Sequence, residues 1–206
     1  MAGKVFFSVS MSLDGFIAPG SLGELMGQQW MELQRWVFPQ RFFRESLKLG
    51  QGGEEGRDND IVRETFERTG ASVMGKRMFD AGEQMWPEEA PFHTPVFVVT
   101  HERREPWERP GGTTFYFVND GIETALEQAR EAAGERDVRI AGGGLTILEY
   151  VNAGLIDEFT IALASVLFGS GIRLFEGVEA DRVALEPVGA ESTPRVTHLT
   201  YAVRQR

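Results

Sequence analysis

The chain has 206 residues, 42% of them hydrophobic and 25% charged, which suits one medium domain with a substantial core rather than a disordered chain. The net charge of −10 argues against nucleic acid as the main partner, because phosphate contacts need clustered Lys and Arg. No cysteine is present, and the three histidines (His93, His101, His198) lack metal-motif spacing, so no metal site is expected.

The amino end runs directly into a strand-like pattern at residues 5–9, without the apolar run of a leader. No window approaches the ~18 consecutive apolar residues of a membrane span. A cytoplasmic address without a membrane partner is the expectation. After residue 9, Asp14-Gly15 marks a turn. Residues 25–38 carry apolar side chains at helical spacing (Leu25, Met26, Trp30, Leu33, Trp36, Val37), stopped by Pro39. Residues 50–59 are rich in glycine and charge and read as a surface loop. Residues 60–68 read as a short helix ended by Gly70.

Strands and helices then alternate. Strands are predicted at 71–74, 95–100, 114–118, 138–141 and 158–164, and helices at 122–133 and 145–152. The tail, 183–187 and 196–204, reads as two antiparallel strands joined by a loop. This order implies a mainly parallel sheet covered on both faces, made mixed by its closing hairpin. No linker divides the chain, so residues 1–206 are read as a single domain.

The sharpest local signal is Gly142-Gly143-Gly144, followed by Leu145 and Thr146, where a strand gives way to a helix. Glycines there let the backbone approach a phosphate, and the free N–H groups of the first helical turn favour its charge. A plain tight turn is the competing reading, and the spacing is not that of a Rossmann fingerprint. Gly75-Lys76-Arg77 ends another strand with two cations. They could hold a 2′-phosphate or simply be solvated at a helix start. Thr100-His101 adds a hydroxyl and an imidazole at a third strand end. Ligands in open α/β sheets collect at such carboxyl ends. Asp157 and Glu158 are adjacent in a strand, point to opposite faces and cannot act as a catalytic pair.

Six segments in order resemble the dihydrofolate reductase superfamily. The nearer branch is the RibD C-terminal type, the reductase domain of riboflavin-biosynthesis proteins. They are Ser12-Leu13-Asp14-Gly15, Val73-Met74-Gly75-Lys76-Arg77-Met78-Phe79, residues 96–100, Ala141-Gly142-Gly143-Gly144, Gly154-Leu155-Ile156-Asp157-Glu158 and residues 167–175. The resemblance implies a three-layer α-β-α fold with a mixed, roughly eight-stranded sheet, and NADPH lying across the strand ends. It would place Ser12, Ile17 and Ala18 near the transferred hydride. Gly75, Lys76, Arg77, Thr100 and His101 would receive the 2′-phosphate, and Gly142, Gly143, Gly144, Leu145 and Thr146 the pyrophosphate. It also implies a homodimer.

Ala141 stands where riboflavin-type reductases commonly carry an acid, and Ser165 where they often carry proline. The expected activity is reduction of a C=N or C=O group of a small heterocyclic or sugar-like substrate, resembling 5-amino-6-(5-phosphoribosylamino)uracil reductase. Asp14, Glu32 or a bound water is the candidate proton donor. A true dihydrofolate reductase and a non-catalytic nucleotide-binding protein on the same scaffold are the alternatives.

Overall fold

A computed structural model describes residues 3–21, 24 and 27–206. The chain begins with β1 (Val5–Ser12) and the short β2 (Phe16–Ala18), then α1 (Gln28–Leu33), α2 (Arg41–Ser46) and α3 (Arg57–Arg68). β3 (Thr69–Gly75), α4 (Lys76–Glu83), β4 (Pro95–Val99), β5 (Trp107–Arg109) and β6 (Thr113–Val118) follow. Next come α5 (Ile122–Ala133), β7 (Asp137–Gly142), α6 (Gly144–Asn152) and β8 (Glu158–Ala164). The chain closes with β9 (Ile172–Arg173), β10 (Val183–Ser192) and β11 (Val196–Gln205).

Among the described residues nine strands form one mixed sheet in the order β10-β11-β8-β1-β7-β3-β4-β6-β5, and β2 pairs with β9 in a separate ribbon. From β8 to β6 neighbouring strands run parallel, and antiparallel strands close both edges. The sheet thus has one strand more than the resemblance implied. The addition is β5, whose Trp107 stacks on Phe115.

Each face has its own cover. α5 places Ala125, Leu126, Ala129 and Ala133 at helical spacing against the sheet, and α6 adds Ile147, Tyr150 and Val151. On the opposite face α1–α3 enclose a cluster with Leu33, Trp36, Val62 and Ala162, and α4 inserts Phe79 into a second, aromatic cluster. Phe79 is fully buried, edge-on to Phe115 at 5.2 Å and to Phe117 at 5.1 Å.

Several boundaries differ from the sequence reading. The helix read at 25–38 is helical only over Gln28–Leu33 and continues as turns; Leu25 and Met26 lie outside the described residues. The loop read at 50–59 ends early, because α3 starts at Arg57. Gly70 does not end that helix. It lies in β3, where a Cβ would come within 2.8 Å of the Ala133 Cα, so the glycine admits the end of α5. β10 runs five residues beyond the predicted end, to Ser192, as an exposed edge strand. Pro187 and a register shift between Pro187 and Gly189 blunt that edge against pairing with another strand.

Candidate active site

The parallel strands bring the polar strand ends to one edge. Met74 pairs with Gly142 and Gly75 with Val99, so the ends of β7, β3 and β4 lie side by side. Ser12 ends β1, the neighbour of β7. Residues 12, 75–77, 100–101 and 142–146, far apart in sequence, thereby share the carboxyl edge of the sheet.

β7 ends at Gly142, whose φ of +135° disfavours any other residue. Gly143 then caps α6 without a side-chain hydrogen bond. The amides of Gly144, Leu145 and Thr146 belong to a first helical turn, where N–H groups have no intrahelical acceptor. Together with the helix dipole they make an anion site. The turn is sealed on one side and open on the other. A Cβ on Gly144 would meet Ile172 at 2.8 Å and Ile17 at 3.0 Å, whereas a Cβ on Gly143 would meet nothing within 4 Å. This uncapped and open turn fits a pyrophosphate.

The two cations after β3 differ. Lys76 Nζ bonds Asp80 at 2.5 Å and Glu102 at 3.1 Å, and these bonds, Asp80 first, raise its pKa. Its charge is already answered within the chain. Arg77 is exposed, donates only to the Gly20 carbonyl at 2.8 Å, and has no carboxylate partner among the described residues. Thr100 is buried and its hydroxyl accepts the Glu102 amide at 3.0 Å, which shapes the loop carrying exposed His101.

The first loop is pinned rather than free. Ser12 donates to Asp14 at 2.6 Å and accepts the Phe16 amide at 2.9 Å. Asp14 also accepts the amides of Phe168 at 3.0 Å and Gly169 at 2.7 Å. The Ser12 hydroxyl, followed by these amides, holds the Asp14 carboxyl at a pKa of about 2. An acid that is ionised throughout the neutral range has no proton to donate, so Asp14 is a clip between two loops and not a proton donor.

A depressed pKa means that Asp14 stabilises the fold fully above the ordinary aspartate value and loses this as pH falls towards about 2. Asp14→Asn should therefore melt below wild type at pH 6, with the difference closing by pH 2. A pH-independent difference in thermal scans would contradict this. Ile17 and Ala18 follow in β2, where Ala18 pairs with Ile172 beside the glycine turn.

Glu32 lies on α1 with its side chain 46% exposed and is 3.5 Å from Arg35. It lines a cavity of about 420 Å³ with Gln28, Gln29, Val166, Leu167 and Phe168, a lining that includes none of the glycine-turn residues. Sequence reasoning passed over Arg139 in β7. Its Nε is sealed from solvent without a hydrogen-bond partner. The available signal was a lone cation between Val138 and Ile140, at an inner-strand position. Among the described residues no cluster of three or more His, Asp or Glu could hold a metal ion, and no helix is long and apolar enough to cross a membrane.

Comparison with known proteins bears on the family and the fold. The family model of the RibD C-terminal domain matches residues 3–199. A 76-residue stretch is 32% identical to the uncharacterized protein YyaP of Bacillus subtilis (strain 168), covering 37% of this chain and 39% of that protein. A putative riboflavin biosynthesis protein from Shewanella sp. PV-4 superposes with a TM-score of 0.68 at 23% identity, over 98% of this chain and 99% of that one. Dihydrofolate reductase from Enterococcus faecalis, solved with NADP(H) and RAB-propyl, superposes with a TM-score of 0.54 at 16% identity, over 99% and 98% of the two chains.

Proposed function

The chain belongs to the RibD C-terminal domain family, a family of reductase-like domains with the dihydrofolate reductase-like fold, and from that premise we propose that it is an NADPH-dependent reductase. The proposed substrate is a small heterocyclic or sugar-like molecule, reduced at a C=N or C=O group. The observation that carries the reading is the uncapped glycine turn, open at Gly143 and flanked by Ile17 and Ile172.

When bound, NADPH supplies the hydride, and the chain supplies orientation and electrostatics. The amides of Gly144, Leu145 and Thr146 would hold the pyrophosphate. Arg77 would take the 2′-phosphate, with Lys76 already neutralised by Asp80 and Glu102. Ile17 and Ala18 would press an apolar wall against the reacting ring and exclude water. With Asp14 ionised, the proton donor is Glu32 or a bound water. Glu32 lines a cavity that includes none of the glycine-turn residues, which favours water.

A homodimer belongs to the same reading, prompted by exposed Leu185 and Val188 on β10, and light scattering checks it. Thermal shift with NADPH and NADH tests the cofactor. A clear rise with NADPH is expected, and no shift with either nicotinamide would end the reductase reading in favour of a different nucleotide ligand. Dihydrofolate-dependent NADPH oxidation separates out a true dihydrofolate reductase.

A further inference from the structure

Alternation along β1 puts Phe6, Ser8, Ser10 and Ser12 on the sheet face under α1–α3. The contacts agree: Arg68 lies 4.0 Å above the Phe6 ring, and Ser10 Oγ bonds both Gln34 and Trp36. The register extends this face sideways, with Phe6 opposite Arg139 and Arg139 opposite Ser72. To one side lies the cluster of Leu33, Trp36 and Val62, and to the other the aromatic cluster around Phe79. Between them the floor is small and polar: Ser8, Ser10 and Ser72, with Ala141 on the next row.

Ser8, Arg139, Ala141 and Thr160 sit on inner strands of a nine-stranded sheet, yet all are only half-buried. The helical layer therefore leaves an opening above β8, β1 and β7. Arg139 lies in its floor. Among the described residues its guanidinium makes one long hydrogen bond, Nη2 to the Ser8 carbonyl at 3.5 Å, and its Nε has no acceptor. The Phe66 ring is 5.9 Å away, and no carboxylate pairs with it among the described residues. Nearby Arg68, by contrast, holds both Asp137 and Glu158.

Desolvation lowers the Arg139 pKa to about 10, which still leaves it protonated at neutral pH. A cation whose Nε is sealed from solvent, with no counterion among the described residues, is costly for the fold. Such costs concentrate where a ligand completes the arrangement. Arg139 also stands three residues before Gly142 on the same strand, about 10 Å from the cofactor turn at ~3.3 Å per residue.

We infer that Arg139 anchors the substrate: its planar guanidinium takes a carboxylate or phosphate group through paired N–H···O bonds in the opening under α3. The inference rests on the reductase reading for the identity of that ligand as substrate. It names a small oxyanion-bearing molecule as the ligand class, matched to the fork geometry of arginine.

The test compares wild type, Arg139→Met and Arg139→Lys with inorganic phosphate and with succinate, against chloride at equal ionic strength. Wild type should melt higher with at least one of the two oxyanions, and which one responds identifies the group. Arg139→Met should lose at least tenfold in that affinity. It should also melt roughly 2–4 °C higher than wild type without ligand, since an apolar chain of similar length replaces an unpaired cation. Arg139→Lys, which keeps the charge without the fork, should fall between them, and it carries the test if the methionine variant does not fold.

A lower melting point for Arg139→Met with the oxyanion response intact would make Arg139 a packing residue. Wild-type affinity in Arg139→Lys would remove the role of the fork. NADPH affinity, measured on the same proteins, should change less than twofold. Loss of NADPH binding in wild type with an Arg139-dependent oxyanion response retained would overturn the reductase reading alone. NADPH binding with no Arg139-dependent response would overturn the anchor alone.

Discussion

Gly75→Ala is expected to destabilise the protein by about 1–3 kcal/mol, as overpacking of a filled interior does, and to weaken NADPH binding with it. The backbone at Gly75 is extended (φ −82°, ψ 154°), so an alanine meets no conformational strain there. The obstacle is a neighbour. A Cβ would stand 2.2 Å from Thr146 Oγ1, far inside contact distance, with the Thr146 Cβ at 3.5 Å. Thr146 is buried on the first turn of α6, and a β-branched side chain in a helix has few rotamers to retreat into.

The clash would therefore push the start of α6 away from β3 and displace the amides that face the proposed pyrophosphate. Thr146→Ala removes the colliding oxygen and leaves a Cβ that Gly75→Ala can tolerate. The double variant should recover most of the lost stability and NADPH affinity, a coupling that urea unfolding and fluorescence titration would measure. Additive losses would show that the strand end and the helix start are independent.

Arg77→Ala is expected to raise the NADPH Kd about tenfold, the low end for a charge-assisted hydrogen bond because the side chain is exposed. The NADH Kd should stay within about twofold, since NADH lacks the 2′-phosphate. Lys76→Ala should have the smaller effect on NADPH, because its ammonium already bonds Asp80 and Glu102. Fluorescence titrations of both variants with both cofactors decide this. Equal losses for NADPH and NADH would remove the phosphate-reading role from Arg77. A larger loss in Lys76→Ala would mean that its ion pairs open when cofactor binds.

Adjacent in sequence, these two cations could not be ranked from residue type and position. Their difference lies in Asp80, one helical turn on, and Glu102, on a loop after the neighbouring strand. The Asp80 contact is readable from i,i+4 spacing, and the Glu102 contact requires knowing that β3 and β4 are adjacent. Asp14 makes the same point. A lone Asp in an Asp-Gly turn is a plausible acid by type. Its amide partners, Phe168 and Gly169, are more than 150 positions away and, with the Ser12 hydroxyl, tie its carboxylate between two loops.

Local chemistry by itself determined the strand and helix alternation, the closing hairpin and the glycine turn at 142–144. Each depends on periodicity or backbone freedom within a few residues, and the order of six short segments sufficed to indicate the family. Tertiary structure alone decided which strands are neighbours, which cation keeps its charge available, that Asp14 is a clip, and that Arg139 stands in an opening without a counterion. These are properties of distance and solvent exclusion between segments remote in sequence. A side chain's charge is written in the sequence, but whether that charge is neutralised, solvated or left waiting depends on what the fold packs against it.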